Sequence, residues 1–231
     1  MLIVVGGARD AQIDRLIRRL GPDRAVRMDV TDLSATGWRL GTDDRGDGVV
    51  VAGGRPLPVA QVSGVLVRRL AIYPQELTHV HEDDRAYVAA ELTAMLMWWL
   101  TVLEVPVLNR PARGVLCGPF GRPEPWLALG AQLGLAVVSE TRTRDLRPAP
   151  APPHWTVSLV GDAAIGTAPR NVIAAARRLA RGAGATVLQA AFDAEGRLTA
   201  ADSFPPLDEP VIDAIAARVW KPAPRALLAA S

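Results

Sequence analysis

The chain has 231 residues, of which 49% are hydrophobic and 22% charged, with a net charge of +2. This is the profile of a folded globular protein long enough for one domain or two small lobes, and it excludes a disordered chain. Of the 26 basic residues only Lys221 is a lysine; arginine carries the rest.

Leu2–Val5 is an apolar run of strand length stopped by Gly6-Gly7. Asp10–Leu20 then places Ile13, Leu16, Ile17 and Leu20 at helical spacing before Gly21-Pro22. Ala25–Val30 reads as a second strand, so the opening is a parallel, right-handed β-α-β unit. Short apolar segments around Trp38, Val49–Ala52 and Arg55–Val59, separated by the Asp/Gly runs at 43–48 and 53–54, predict hairpins. Val62–Arg69 is a further strand ending in two arginines. From Glu82 to Glu104 the spacing predicts a long helix with Tyr87, Val88, Leu92, Met95, Leu96, Trp99 and Leu103 on one buried face, and the Trp98-Trp99 pair as core. Val105–Leu108 reads as a strand, 124–133 as a helix closed by Gly134, and Leu135–Val138 as a strand. The run Arg147–Pro153 reads as a stiff linker. Beyond it come a hairpin (Trp155–Val160 and 163–165), a helix from Asn171 to Ala180, paired strands Val187–Phe192 and Arg197–Ala201, and a last helix from about Val211 to Val219. The fold class expected is α/β, with an N-terminal lobe over 1–112, a connecting helix and strand over 113–146, a proline-rich linker over 147–154 and an α+β lobe over 155–231.

Several function classes are disfavoured. The arginine runs at 15–20 and 177–182 fall on helical patterns and read as solvated faces, which argues against a nucleic-acid partner. Met1–Gly6 lacks the features of a signal peptide, and the apolar stretch 86–108 is broken by Glu91 and Glu104, short of the ~20 residues of a membrane span. A single cysteine, Cys117, excludes an internal disulfide and suits a reducing compartment, so a cytoplasmic protein without a membrane partner is expected.

Candidate sites follow from residue type and position. The loop 4–10 (VVGGARD) lacks the three-glycine spacing of a dinucleotide fingerprint and reads as a tight turn. His79 and His81, with Glu82–Asp84, could offer metal ligands, although the same acids suit a helix N-terminus. Cys117 has no nearby histidine to activate it as a nucleophile. Arg68, Arg69, Glu91, Asn109 and Arg110 form the main ligand-binding set, because strands that end in polar residues deliver them to the carboxyl edge of a sheet, where open α/β sheets bind ligands. Paired arginines there could hold a carboxylate bidentately; a salt bridge of Glu91 with one of them is the competing reading.

In this order the elements resemble an ATP-grasp protein, closest to the ligases that modify ribosomally made peptides and their RimK-type relatives. The resemblance is carried by the opening unit closing at Val65–Arg69, the helix leading to Val107–Pro111 (VLNRP), Trp126–Val138 (WLALGAQLGLAVV), Thr156–Asp162 (TVSLVGD) and Val187–Pro206. It implies a pre-ATP-grasp N-terminal lobe and a C-terminal sheet that would face nucleotide and Mg²⁺. The departures matter as much. The interval 141–154, where the family places its nucleotide lid, is too short for one and rich in proline, and the lid lysines have no counterpart. The positions matching the family's metal ligands are Gln189, Asp202 and Phe204, of which only Asp202 is anionic. The expectation is therefore a reduced ATP-grasp relative without a cofactor, binding a peptide or a protein partner such as an intact ligase, and dimerising through an uncovered face of the C-terminal sheet. The alternative is an ATP- and Mg-dependent carboxylate–amine ligase with a divergent nucleotide site.

Overall fold

The computed structural model describes residues 1–41, 48–112, 114–120, 122–138 and 152–220. Leu2–Val5 (β1) is buried at every position, which an apolar run achieves as an inner strand of a parallel sheet covered on both faces. It pairs in parallel with Ala25–Met28 (β2) and Gly64–Val67 (β5), and β5 pairs with the short Val107–Leu108 (β6), giving the order β2-β1-β5-β6. The helix Ala11–Leu20 (α1) connects β1 to β2; the Asp10 carboxylate caps it through the amides of Gln12 at 2.9 Å and Ile13 at 3.4 Å. Alternation along β1 divides the core. Ile3 and Val5 face the long helix Arg85–Val102 (α3), while Leu2 and Val4 face α1 and the last helix, Glu209–Trp220 (α6).

Val49–Ala52 (β3) and Arg55–Pro58 (β4) form the expected hairpin around Gly53 and Gly54, at φ +60° and +73°, the left-handed geometry of a two-residue turn. A short helix, Val30–Leu33 (α2), stands where the second strand was expected to end. Its buried Asp32 accepts the amides of Asp29, Gly53 and Gly54 at 3.0, 3.2 and 2.7 Å, tying the hairpin to β2.

The second sheet is antiparallel, in the order β10-β9-β7-β8, from Trp155–Val160 (β7), Ala163–Ile165 (β8), Val187–Phe192 (β9) and Leu198–Asp202 (β10). One face, with Val157, Ala190 and Ala201, buries against Pro123–Gln132 (α4) and Arg170–Ala183 (α5). On the other face Val160 and Val187 join Leu2, Val4 and Leu66 in a cluster closed by Val211, Ile212, Ile215 and Val219 of α6. The C-terminal helix thus packs on the N-terminal sheet, and the two sheets share a core.

Two expectations are corrected. α3 is not two-faced: Tyr87, assigned to the buried stripe, is 69% exposed and Trp98 is 44% exposed, whereas Trp99 is buried against Trp38. The helix is apolar almost all round, so its spacing could not tell the covered side from the open one. The strand expected over 135–138 is reduced to a single parallel bridge, Val137 to Leu198. The expected linker lies outside the described residues up to Ala151, as do residues 43–47 of the Asp/Gly run and Lys221. Among the described residues no helix is long and apolar enough to cross a membrane.

Candidate functional site

The carboxyl ends of β5 and β6 meet the β9–β10 edge of the antiparallel sheet, and most of the singled-out side chains lie along this seam. Arg68 follows β5 and points into it. Its side chain is 7% exposed; Nη1 donates to the Pro205 carbonyl at 2.9 Å, Nε lies 3.6 Å from the Asp10 carboxylate, and the guanidinium sits 5.7 Å from the centre of the Phe204 ring. Burial lowers its pKa, opposed by Asp10 and Asp202. Asn109 crosses the seam. Its Oδ1 accepts the amides of Thr186 and Val187, both at 2.7 Å, and its Nδ2 donates to the Val187 carbonyl at 2.7 Å and the Cys117 carbonyl at 3.4 Å. Gly118 closes over it at φ +116°, where a Cβ would lie 3.0 Å from the Asn109 Cβ.

The other members of the predicted set point elsewhere. Arg69 turns into its own lobe, bonding Glu76 and, at 3.0 Å, the Ala71 carbonyl. Arg110 folds back on the end of α3, donating to the carbonyls of Leu100 and Thr101 at 3.0 Å and Leu103 at 2.6 Å, which offsets the unpaired carbonyls of a helix C-terminus. Glu91 is exposed on α3 and makes no ion pair with either arginine among the described residues. The five residues therefore do not form one pocket. His79 and His81 are exposed; His81 Nδ1 is 3.6 Å from Asp83, and no three His, Cys, Asp or Glu side chains converge on a metal position among the described residues.

Of the three positions singled out as counterparts of metal ligands, Gln189 and Asp202 lie side by side, and Phe204 follows beyond the end of β10. Antiparallel register sets Ser158, Gln189 and Asp202 side by side across β7, β9 and β10, and cross-strand partners share a face. Gln189 is half-buried, Ser158 is buried, and Asp202 is exposed with Oδ1 accepting the Phe204 amide at 2.6 Å. Phe204 itself lies under Arg68. Mg²⁺ held against nucleotide phosphates asks for several hard, preferably anionic oxygens. This row supplies one carboxylate, one oxygen of which accepts the Phe204 amide, beside two neutral side chains, so among the described residues it does not fit a metal–nucleotide pair. Cys117 is fully buried nearby. Burial pushes its thiol up to about 12, with Asp202 adding and Arg68 opposing, so it is an inert thiol at neutral pH.

Sequence reasoning missed Asp10 and Ser158 as members of this seam. Asp10 was legible as a helix cap but not as the partner of Arg68. Ser158 could have been found by laying Trp155–Val160 against Val187–Phe192 in antiparallel register.

No family model matches the chain, and no curated protein matches it. Solved structures do. The macrocyclase MdnC of Microcystis aeruginosa MRC, solved with the precursor peptide MdnA, superposes with a TM-score of 0.68 at 14% identity, over 96% of this chain and 99% of its own. The ATP-grasp ligase PsnB, complexed with minimal precursor, Mg and ADP, gives 0.64 at 15% identity over 94% and 98%. A RiPP-associated ATP-grasp ligase of Chryseobacterium gregarium, in complex with ADP and a leader and core peptide, gives 0.65 at 11% identity over 97% of each chain. The parallel sheet joined to an antiparallel one is the fold of ATP-grasp ligases, as the element order implied.

Proposed function

We propose that this chain is a reduced, non-catalytic ATP-grasp-like protein that binds a peptide or protein partner in a peptide-modification pathway, in the cytoplasm and without nucleotide. The carrying observation is the Ser158–Gln189–Asp202 row, with the Phe204 ring lodged against Arg68 where a second oxygen ligand would be needed. Phosphoryl transfer leans on metal ions and cationic clamps to neutralise developing charge, and this row offers little of either. The short interval 141–154 and the lack of any lysine before Lys221 support the same reading from the sequence. Structural likeness to ligases solved with precursor peptides makes a peptide the favoured class of partner.

The test is a thermal melt of the full chain with Mg·ATP and separately with Mg·ADP. The expected result is an unchanged midpoint. A nucleotide bound at a hundredfold excess over its Kd adds about 2.7 kcal/mol, a rise of roughly 5–10 °C for a chain of this size. Such a rise, or loss of a water from an acidic peptide incubated with the chain and Mg·ATP alone, overturns the proposal in favour of a working carboxylate–amine ligase.

A further inference from the structure

Helix α5 sets Arg170, Ala174, Arg177, Arg178 and Arg181 along one exposed stripe, at intervals of three and four residues, and contains no Asp or Glu. Its four positive charges exceed the +2 of the whole chain, so the rest of the protein is net acidic and positive charge is concentrated here. Several arginines elsewhere are matched with carboxylates: Arg19 with Asp213, Arg27 with Asp14, and Arg197 with Asp193 and Glu195. Among the described residues none on α5 is. Arg177 and Arg178 donate only to the carbonyls of Asp162 at 3.1 Å and Gly134 at 3.4 Å, and Arg170 and Arg181 bond nothing.

The helix itself does not call for this arrangement. Arg170 is its first residue, after Pro169, which offers no side-chain cap, so the charge meets the positive end of the helix dipole. Arg181 suits the other end, but Arg177 and Arg178 crowd it at four and three residues, a like-charge spacing that costs stability. Charges placed against a local rule and left unpaired within the fold point to a function outside it.

We propose that α5 docks an acidic segment of a partner polypeptide, whose Asp and Glu side chains pair with these arginines. The inference rests on the peptide- or protein-binding reading and adds a face and a charge to it. Guanidinium groups hold carboxylates through two parallel bonds. From Arg170 to Arg181 the stripe runs about 16 Å at ~1.5 Å per residue, and an acidic helix presents carboxylates at the same intervals over that length. Ala174, small and exposed, keeps the middle low enough for close approach. The stripe is also narrow. Asp162 lies beside Arg177, and the 193–197 turn with the exposed Glu195 lies near the N-terminal end, where a Cβ on Gly196 would sit 3.6 Å from the Val172 side chain. A nucleic acid longer than the stripe would run onto acidic surface, and α5 has no aromatic ring on which bases stack. A membrane plane would meet the flanking acids as well. One polypeptide segment fits.

The probe is a fluorescein-labelled, alanine-rich helical peptide with glutamate at every third or fourth position, titrated against the full chain by anisotropy. Its glutamine and lysine versions serve as controls. The glutamate probe is expected to bind and the glutamine one not, with salt weakening the complex because exposed pairs are screened beyond roughly 10 Å at about 0.1 M. Arg170→Glu with Arg181→Glu, the two arginines that bond nothing in the fold, is expected to weaken binding of the glutamate probe about tenfold or more and to take up the lysine probe instead. This variant is expected to unfold at the same urea concentration as wild type, because the gain at the helix N-terminus and new pairing with Arg177 and Arg178 offset the charge lost at the C-terminus. Arg170→Gln with Arg181→Gln gives a smaller loss of binding in the same direction. Four results overturn the proposal: no binding of the glutamate probe, unchanged binding in both double variants, tighter binding of a single-stranded DNA oligonucleotide or a phosphatidylserine vesicle, or a marked loss of stability in the glutamine variant. A melting midpoint raised by Mg·ATP while the glutamate probe still binds at α5 would sink the non-catalytic reading and leave this docking face standing.

Discussion

Replacing Asn109 by alanine tests how the two sheets are joined. The side chain is 2% exposed and makes its three shortest bonds, all 2.7 Å, across the seam: two accepted by Oδ1 from the amides of Thr186 and Val187, one donated by Nδ2 to the Val187 carbonyl. Val187 is 1% exposed, so its amide and carbonyl have no access to water once the side chain is cut back. Each buried polar group left unpaired costs about 1–3 kcal/mol, and the two on Val187 together give a loss of about 2–6 kcal/mol, with the half-buried Thr186 amide recovering water. The packing lost is small, because alanine keeps the Cβ and removes only the amide group. Asn109→Asp separates the two roles: it keeps the acceptor for both amides but loses the donor and sets a carboxylate against the Val187 carbonyl, so it too is expected to be destabilised. The assay is urea unfolding followed by tryptophan fluorescence and far-ultraviolet circular dichroism, with the slope checked for change. If Asn109→Ala unfolds within ~0.5 kcal/mol of wild type, the residue is not the tie between sheets and the bookkeeping above fails.

The Cys117 thiol ionises near 9 when unfolded and is held up to about 12 by burial when folded, so its contribution to stability is full below pH 9 and falls as pH rises from there toward 12. The expected decline has a slope of up to about 1.4 kcal/mol per pH unit, flattened in Cys117→Ala; identical slopes in the two proteins refute it. A thiol reagent at neutral pH is expected to label Cys117 only on the timescale of unfolding. Arg68→Ala leaves the Pro205 carbonyl unpaired beside the shared core and the Asp10 carboxylate with only its helix-cap amides, and an expected loss of about 1–3 kcal/mol in urea melts would be contradicted by wild-type stability.

The elements themselves were legible because their signals are local. Period-two and period-3.6 patterning, the Gly53-Gly54 turn and the Gly134 helix cap all act within a few residues, and they led to α/β order and to the likeness with ATP-grasp proteins that the superpositions bear out as a fold. The seam was half legible. Gln189, Asp202 and Phe204 could be aligned from strand order, and antiparallel register brought the first two together. Arginines and an asparagine at strand ends could be located but not given partners, since Arg68 and Arg110 reach several ångströms and can turn to a carbonyl, a carboxylate or a ligand with equal ease. The direction in which those long side chains turn depends on atoms more than a hundred residues away, such as the Pro205 carbonyl for Arg68, and on which side of an all-apolar helix the sheet happens to cover. Sequence determined the elements and their order, because short-range sterics and hydrophobic periodicity suffice for both. Only the tertiary structure decided which polar groups are tied into the frame and which face of α3 is left open, because these are set by burial against segments distant in the chain.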